Sequence, residues 1–271
     1  MIAFPGWRPA HVLALLLLWP VPWAAPAVAH ERANPLSQGG HWAQINGHRL
    51  YYQVRGSGPV LLLLHGGGSS GGQSFERQLD LFAKAHEIIA PDQVGQGLTP
   101  DIPGPLSYTN MLGDTIALLR HLKIRSVDVM GFSDGGILAL MLAAAEPQRV
   151  RRLVVSGVNV APEGLNAADL QEMRGEPPVK VARNIGDKLR ELWLHSPTPA
   201  ELNMSVLAHI EQPVLLMSGD HDAVTLEHTL EIYKALPNSE LYVLPGTSHD
   251  TFGGRPEWVN PIAAAFLARS D

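Results

Sequence analysis

Short, unbroken apolar runs recur along the chain at Val60–Leu64, Ile88–Ala90, Val127–Met130, Leu153–Val155, Val214–Met217 and Leu241–Leu244. Each ends in turn residues, and helix-length stretches separate them. A strand with no polar face has to be covered on both sides, so these runs predict a mostly parallel sheet with helices above and below it. The intervening periodicity predicts helices over 73–86, 107–122, 135–146, 224–236 and 256–268, with Pro147 closing the third. Upstream, Trp42–Ile45 and Arg49–Val54 flank Asn46-Gly47. That dipeptide tolerates the positive φ that a tight hairpin turn needs at both central positions. The whole pattern reads as an α/β fold: a twisted sheet of about eight strands with helices on both faces.

One stretch breaks the rhythm. Between 158 and 208, Pro162, Gly164, Pro177, Pro178, Pro197 and Pro199 punctuate short, charge-rich pieces, which predicts a small helical cap inserted between two sheet strands. Within it, Val179, Val181, Ile185, Leu189, Leu192 and Trp193 predict a packed helix over 179–194. The sheet core is then 42–157 and 209–271, with 30–41 as a flexible lead-in. Residues 1–29 read as an export signal: Arg8, the apolar run Val12–Trp19, and Ala27-Val28-Ala29 as a small-x-small cleavage site before His30. The expected destination is the periplasm or the medium. The apolar run is too short to span a bilayer, and no later run is long enough, so no membrane association is expected once the leader is removed.

Composition narrows the chemistry. With 45% apolar and 17% charged residues, the 271-residue chain can bury a sizeable core. The balance of 20 basic against 26 acidic residues gives a net charge of −6 without a basic run, which argues against nucleic acid as a partner. The absence of cysteine excludes disulfides, thiol nucleophiles and cysteine-metal sites. No metal or organic cofactor is implied.

The string Gly131-Phe132-Ser133-Asp134-Gly135 directly follows one predicted strand and directly precedes a predicted helix. That is where a sharp strand-to-helix turn lifts a serine hydroxyl above the sheet. A helix cap would explain the serine but not both glycines. A serine needs a base, and His249 follows the last predicted strand in Pro245-Gly246-Thr247-Ser248-His249. An imidazole base needs a carboxylate to hold its tautomer. Two compete after Val214–Met217, Asp220 and Asp222. Asp222 is favoured because the loop has to leave the strand before turning toward the histidine, with Asp220 left to brace the turn. Two N–H donors for an oxyanion are expected at Asp134, on the helix N-terminus, and at Gly67 in His65-Gly66-Gly67-Gly68. A phosphate-loop reading of this glycine run lacks the Gly-Lys-Ser/Thr ending.

Taken in chain order, His65-Gly66-Gly67, Asp92 to Gly97, Gly131 to Gly136, Gly219-Asp220-His221-Asp222 and His249 resemble the α/β-hydrolase superfamily. Gly131 to Gly136 is most similar to the biphenyl-hydrolase-like (valacyclovir hydrolase) branch. The resemblance implies a serine hydrolase with Ser133 as nucleophile, His249 as base and Asp222 as acid, acting on a small-molecule ester. In that branch the aspartate after the serine binds a substrate ammonium, which would fall here to Asp134. Trp193 is expected to wall the pocket, and the scarcity of aromatics in the cap points to a modest cavity. An amidase or aminopeptidase, a C–C bond hydrolase, a perhydrolase and a non-catalytic ligand-binding homologue are the other readings of the same residues. Two departures concern loop anchoring: Gln93-Val94 after Asp92, and Asp250-Thr251-Phe252-Gly253 after His249.

Overall fold

A computed structural model describes residues 38–175, 182 and 184–269, so the predicted leader lies outside the described residues. The chain begins as a hairpin of β1 (Gly39–Ile45) and β2 (His48–Gly56), turning at Asn46 and Gly47 with φ of 46° and 88°. The first strand starts earlier than the side-chain alternation indicates. Gly39 to His41, assigned by sequence to the lead-in, pair with Val54 to Tyr52.

Then β3 (Val60–Leu64) is followed by α1 (Gly71–Ser74), α2 (Glu76–Phe82), β4 (Glu87–Pro91) and α3 (Tyr108–His121). The predicted 73–86 helix is thus two pieces. Phe75 breaks it, with φ −119° and ψ 22°, because its fully buried ring packs on Phe252. β5 (Val127–Phe132), α4 (Asp134–Ala145) and β6 (Val150–Ser156) complete the first half. The insertion carries α5 (Ala167–Gly175), α6 (Ile185–His195) and α7 (Met204–Leu207). Helix α6 starts at Ile185 rather than 179, since the Asn184 side chain accepts the Asp187 N–H and caps it. Val179 and Val181 lie outside the described residues. The chain ends with β7 (Val214–Gly219), α8 (Leu226–Ala235), β8 (Ser239–Leu244), α9 (Thr251–Gly254) and α10 (Pro256–Leu267).

The eight strands form one sheet in the order β1-β2-β4-β3-β5-β6-β7-β8, antiparallel at β1/β2 and β2/β4 and parallel elsewhere. The pleat sends Leu62 and Leu64 to the layer holding α3 and α4, and Leu61 and Leu63 to the layer holding α2 and α10. Every residue of α4 from Asp134 to Ala143 is buried, as befits a helix without a polar face. Strand order reverses between β3 and β5, and such a reversal opens a crevice at the carboxyl ends of the strands. The loops leaving β3 and β5 carry His65–Ser70 and Ser133.

Candidate active site

Ser133 joins β5 to α4 with φ 52° and ψ −119°, a conformation that non-glycine residues rarely adopt. Neighbouring chain holds it there: its N–H donates to Ser156 O at 2.8 Å and its carbonyl accepts from Ile137 N–H at 3.0 Å. The tight turn also dictates Gly135, where a Cβ would overlap the Leu64 carbonyl oxygen.

His249 follows β8, and its Nε2 lies 2.9 Å from Ser133 Oγ. Its Nδ1 lies 2.6 Å from Asp222 Oδ1. A carboxylate only accepts, so Nδ1 carries the proton and Nε2 is left to accept from the serine hydroxyl. The Asp222 side chain is fully buried and also accepts from Val224 N–H at 3.0 Å, Ser218 Oγ–H at 3.3 Å and Gly219 N–H at 3.4 Å. Asp220, the competing acid, is not a partner of the His249 ring; it accepts the Thr247 N–H at 3.0 Å, bracing the histidine loop against the end of β7. The Gly246 and Thr247 amides hold its carboxyl below the usual range.

The residues after His249 anchor it through contacts of their own. Thr251 donates its N–H to His249 O at 3.0 Å, and its buried hydroxyl lies 2.7 Å from Ser156 Oγ. The ring of Phe252 is fully buried, and its carbonyl accepts from Gln78 Nε2 at 2.9 Å. Burial draws the His249 pKa down. The Asp222 hydrogen bond and the charges of Asp222, Asp134 and Asp250 outweigh it, so the net shift is upward.

The loop after β3 lies beside Ser133. His65 is buried and kept neutral by desolvation; it donates from Nδ1 to Gly66 O at 2.8 Å and accepts Gln93 N–H on Nε2 at 2.9 Å. The Gly66 N–H donates to Ser74 Oγ at 3.3 Å and the Gly68 N–H to Gln96 Oε1 at 2.7 Å. Between them, the Gly67 N–H meets no acceptor among the described residues. The Asp134 N–H, on the first turn of α4, has no intrahelical acceptor either. A side chain at Gly67 would run into the Asp134 carboxylate and the Trp193 ring.

Asp134 is 5% exposed. It accepts from Tyr108 Oη–H at 2.8 Å and from Trp193 Nε1–H at 3.0 and 3.1 Å, and burial raises its pKa. Tyr108 is a site residue that sequence reasoning missed, because nothing in the local pattern of α3 distinguishes a core tyrosine from one aimed at the cavity. Ser133, Asp134, His249, Gly67, Tyr108 and Trp193 share one cleft of about 1050 Å³, roomier than the few aromatics of the cap imply. Polar side chains such as Asn159, Asp169 and Arg190 furnish much of its wall. Among the described residues, no group of three or more His, Asp or Glu side chains could hold a metal ion.

The eight-stranded sheet with helices on both faces has the alpha/beta hydrolase fold, and the sequence matches the alpha/beta hydrolase family over residues 61–262; the chain belongs to it. Several relatives matched over most of their length are hydrolases by name. It is 29% identical over 295 aligned residues to the serine hydrolase BPHL of Homo sapiens, across 98% of this chain and 100% of the human protein. With the 2-hydroxymuconate semialdehyde hydrolase of Pseudomonas putida it shares 27% identity over 266 residues, spanning 83% of this chain and 92% of that enzyme. The enol-lactonase from Burkholderia xenovorans LB400 has the same fold, with a TM-score of 0.72 at 21% identity, over 84% of this chain and 100% of that one.

Proposed function

We propose that the protein is a serine hydrolase that cleaves small carboxylic esters through an acyl-enzyme. The observation that carries this reading is the continuous line from Ser133 Oγ through His249 to Asp222, at 2.9 and 2.6 Å, opening into a cleft. Ser133 Oγ attacks the ester carbonyl carbon while its proton passes to His249 Nε2. The carbonyl oxygen becomes an oxyanion, met by the Gly67 and Asp134 amides. On collapse, the C–O bond to the alcohol breaks and His249 returns the proton to the leaving oxygen. Water, deprotonated by His249, then attacks the acyl carbon and releases the carboxylic acid and Ser133.

Asp134 adds a preference. A carboxylate beside an oxyanion hole opposes developing negative charge, and this one is held by two neutral donors, Tyr108 and Trp193. A substrate ammonium in the cleft would neutralise it, so amino-acid esters are the favoured substrates. Residues 1–29 would direct the enzyme out of the cytoplasm, which N-terminal sequencing of the mature protein checks.

The test combines a fluorophosphonate probe with a panel of short p-nitrophenyl esters, amino-acid esters and the matching amides. Covalent labelling and ester turnover, both lost in Ser133→Ala, are expected. Neither labelling nor turnover would leave a ligand-binding homologue, and amides turned over faster than esters would replace the esterase with an amidase.

A further inference from the structure

The Gly67 amide belongs to the peptide plane between Gly66 and Gly67, and the carbonyl on the same plane, Gly66 O, accepts from both His65 Nδ1–H and Ser69 N–H (2.8 and 3.3 Å). A trans plane points its N–H opposite to its C=O, so those two bonds aim the Gly67 N–H. The next plane, between Gly67 and Gly68, has no such pair. Its N–H end goes to one side chain, Gln96 Oε1, at 2.7 Å. Gly67 itself has no side chain to resist rotation, and Gly68 already sits at φ +73°.

We propose that Gln96 is a positioning residue of the oxyanion hole: by holding the Gly68 amide it fixes the second plane beside Gly67, so that the loop cannot swing on that side and the Gly67 N–H keeps the orientation that the bonds to Gly66 O give it. Gln96 is 5% exposed and is not part of the cleft wall, so it acts on substrate only through the glycine loop. It stands in the turn Gly95-Gln96-Gly97 after β4, on the loop that also holds Gly71 N–H through Asp92 Oδ1 at 2.9 Å. Two loops from neighbouring strands are thereby stitched together, and Gln96 is the stitch that holds the amide next to Gly67. A donor that must be in place before charge develops contributes through this kind of rigidity.

The inference rests on the hydrolytic reading above, and the experiment separates the two. Gln96→Met keeps length and removes the acceptor. Removing an oxyanion donor outright costs about 10²–10³ in kcat, so disordering one is expected to cost Gln96→Met about 10- to 100-fold in kcat with KM within about two-fold. The Ki of a trifluoromethyl ketone, which forms the oxyanion adduct, is expected to rise in step with the loss in kcat/KM. Where Gln96→Met does not fold, Gln96→Asn, one methylene short of Gly68, is expected to show the same split. A folded variant with unchanged kcat, a loss confined to KM, or a trifluoromethyl ketone Ki that does not move with kcat/KM overturns the role of Gln96. If the wild type shows no Ser133-dependent turnover, the hydrolytic reading falls and this inference falls with it.

Discussion

Two buried carboxylates lie near His249, one in the loop after β7 and one on the first turn of α4, and their surroundings differ. Asp222 accepts from the imidazole, two main-chain amides and a serine hydroxyl. Asp134 accepts from a phenol and an indole, each carried on a helix. A buried carboxylate ringed by donors and one prospective cation is fully provided for by the protein. A buried carboxylate with two neutral donors is only partly provided for. The first arrangement suits a group that stays charged through every step; the second suits a group whose counter-charge arrives with the substrate.

That contrast gives its largest expected effect at Asp222. Asp222→Asn keeps the shape but donates where the imidazole Nδ1–H should be accepted, so kcat is expected to fall by about 10⁴ with the fold intact. Ser133→Ala is expected to lose at least as much, along with all fluorophosphonate labelling. Single-turnover kinetics with a p-nitrophenyl ester measures both, and a loss of less than about ten-fold in Asp222→Asn would remove the acid role from this residue. At Asp134 the loss is selective. Asp134→Asn is expected to raise KM for amino-acid esters by about 10- to 100-fold, the scale of a charge-assisted contact of roughly 1.5–3 kcal/mol. Neutral esters of the same size are expected to be spared. Equal losses on both substrates would make the two carboxylates alike and end the proposed ammonium subsite.

How far these differences could be read from the chain depends on where each contact comes from. Ser133, Asp222 and His249 follow strands, and a buried strand announces itself as an unbroken apolar run; once the runs are ordered, their ends are known to share one edge of the sheet. Gly131 and Gly135 mark the turn between β5 and α4 for the same local reason. The partners of Asp134 are of another kind. Tyr108 and Trp193 stand 26 and 59 residues away, and their side chains meet Asp134 only because α3 and the cap close over the cleft. The break at Phe75 was invisible for a related reason, since a ring from Phe252, far along the chain, dictates it. Gln96 sits in a turn whose glycines are legible but whose one polar side chain carries no pattern.

The two acids also act unequally on the pH profile. In the proposed mechanism the neutral imidazole is the base, and the His249 pKa is raised above its ordinary value, so kcat/KM is expected to fall on the acid side through an apparent pKa above about 6.5. Charge on Asp134 and on Asp250 contributes to that rise, the former more than the latter. Asp134→Asn is therefore expected to move the acid limb to lower pH, and Asp250→Asn to move it in the same direction by less. A profile measured on a neutral ester keeps substrate ionisation out of the comparison. An acid limb that stays put in both variants would mean that neither charge reaches the imidazole.

The smallest effect is on stability, and its sign separates a carboxylate the fold uses from one it tolerates. Burial raises the Asp134 pKa above the unfolded value of about 3.9. A carboxyl raised in the folded state contributes its full stability only below the unfolded pKa, and that contribution is lost as pH rises through the folded pKa. At neutral pH the ionised Asp134 thus weighs against folding. Asn keeps an oxygen to accept from Tyr108 and Trp193 and carries no charge. Asp134→Asn is expected to raise the thermal midpoint at pH 7 by roughly 2–4 °C, the shift that about 1 kcal/mol produces in a domain of this size. The gain should shrink as pH drops toward the unfolded carboxyl pKa, where the wild-type group is protonated as well. Asp222→Asn is expected to do the reverse at neutral pH, because it removes a charge that the imidazole and two amides are arranged to meet. Calorimetry of both variants across pH 4–8 makes the comparison. Should Asp134→Asn melt below the wild type at pH 7, the carboxylate would be one the fold depends on, and its position in the cleft would owe nothing to a substrate cation.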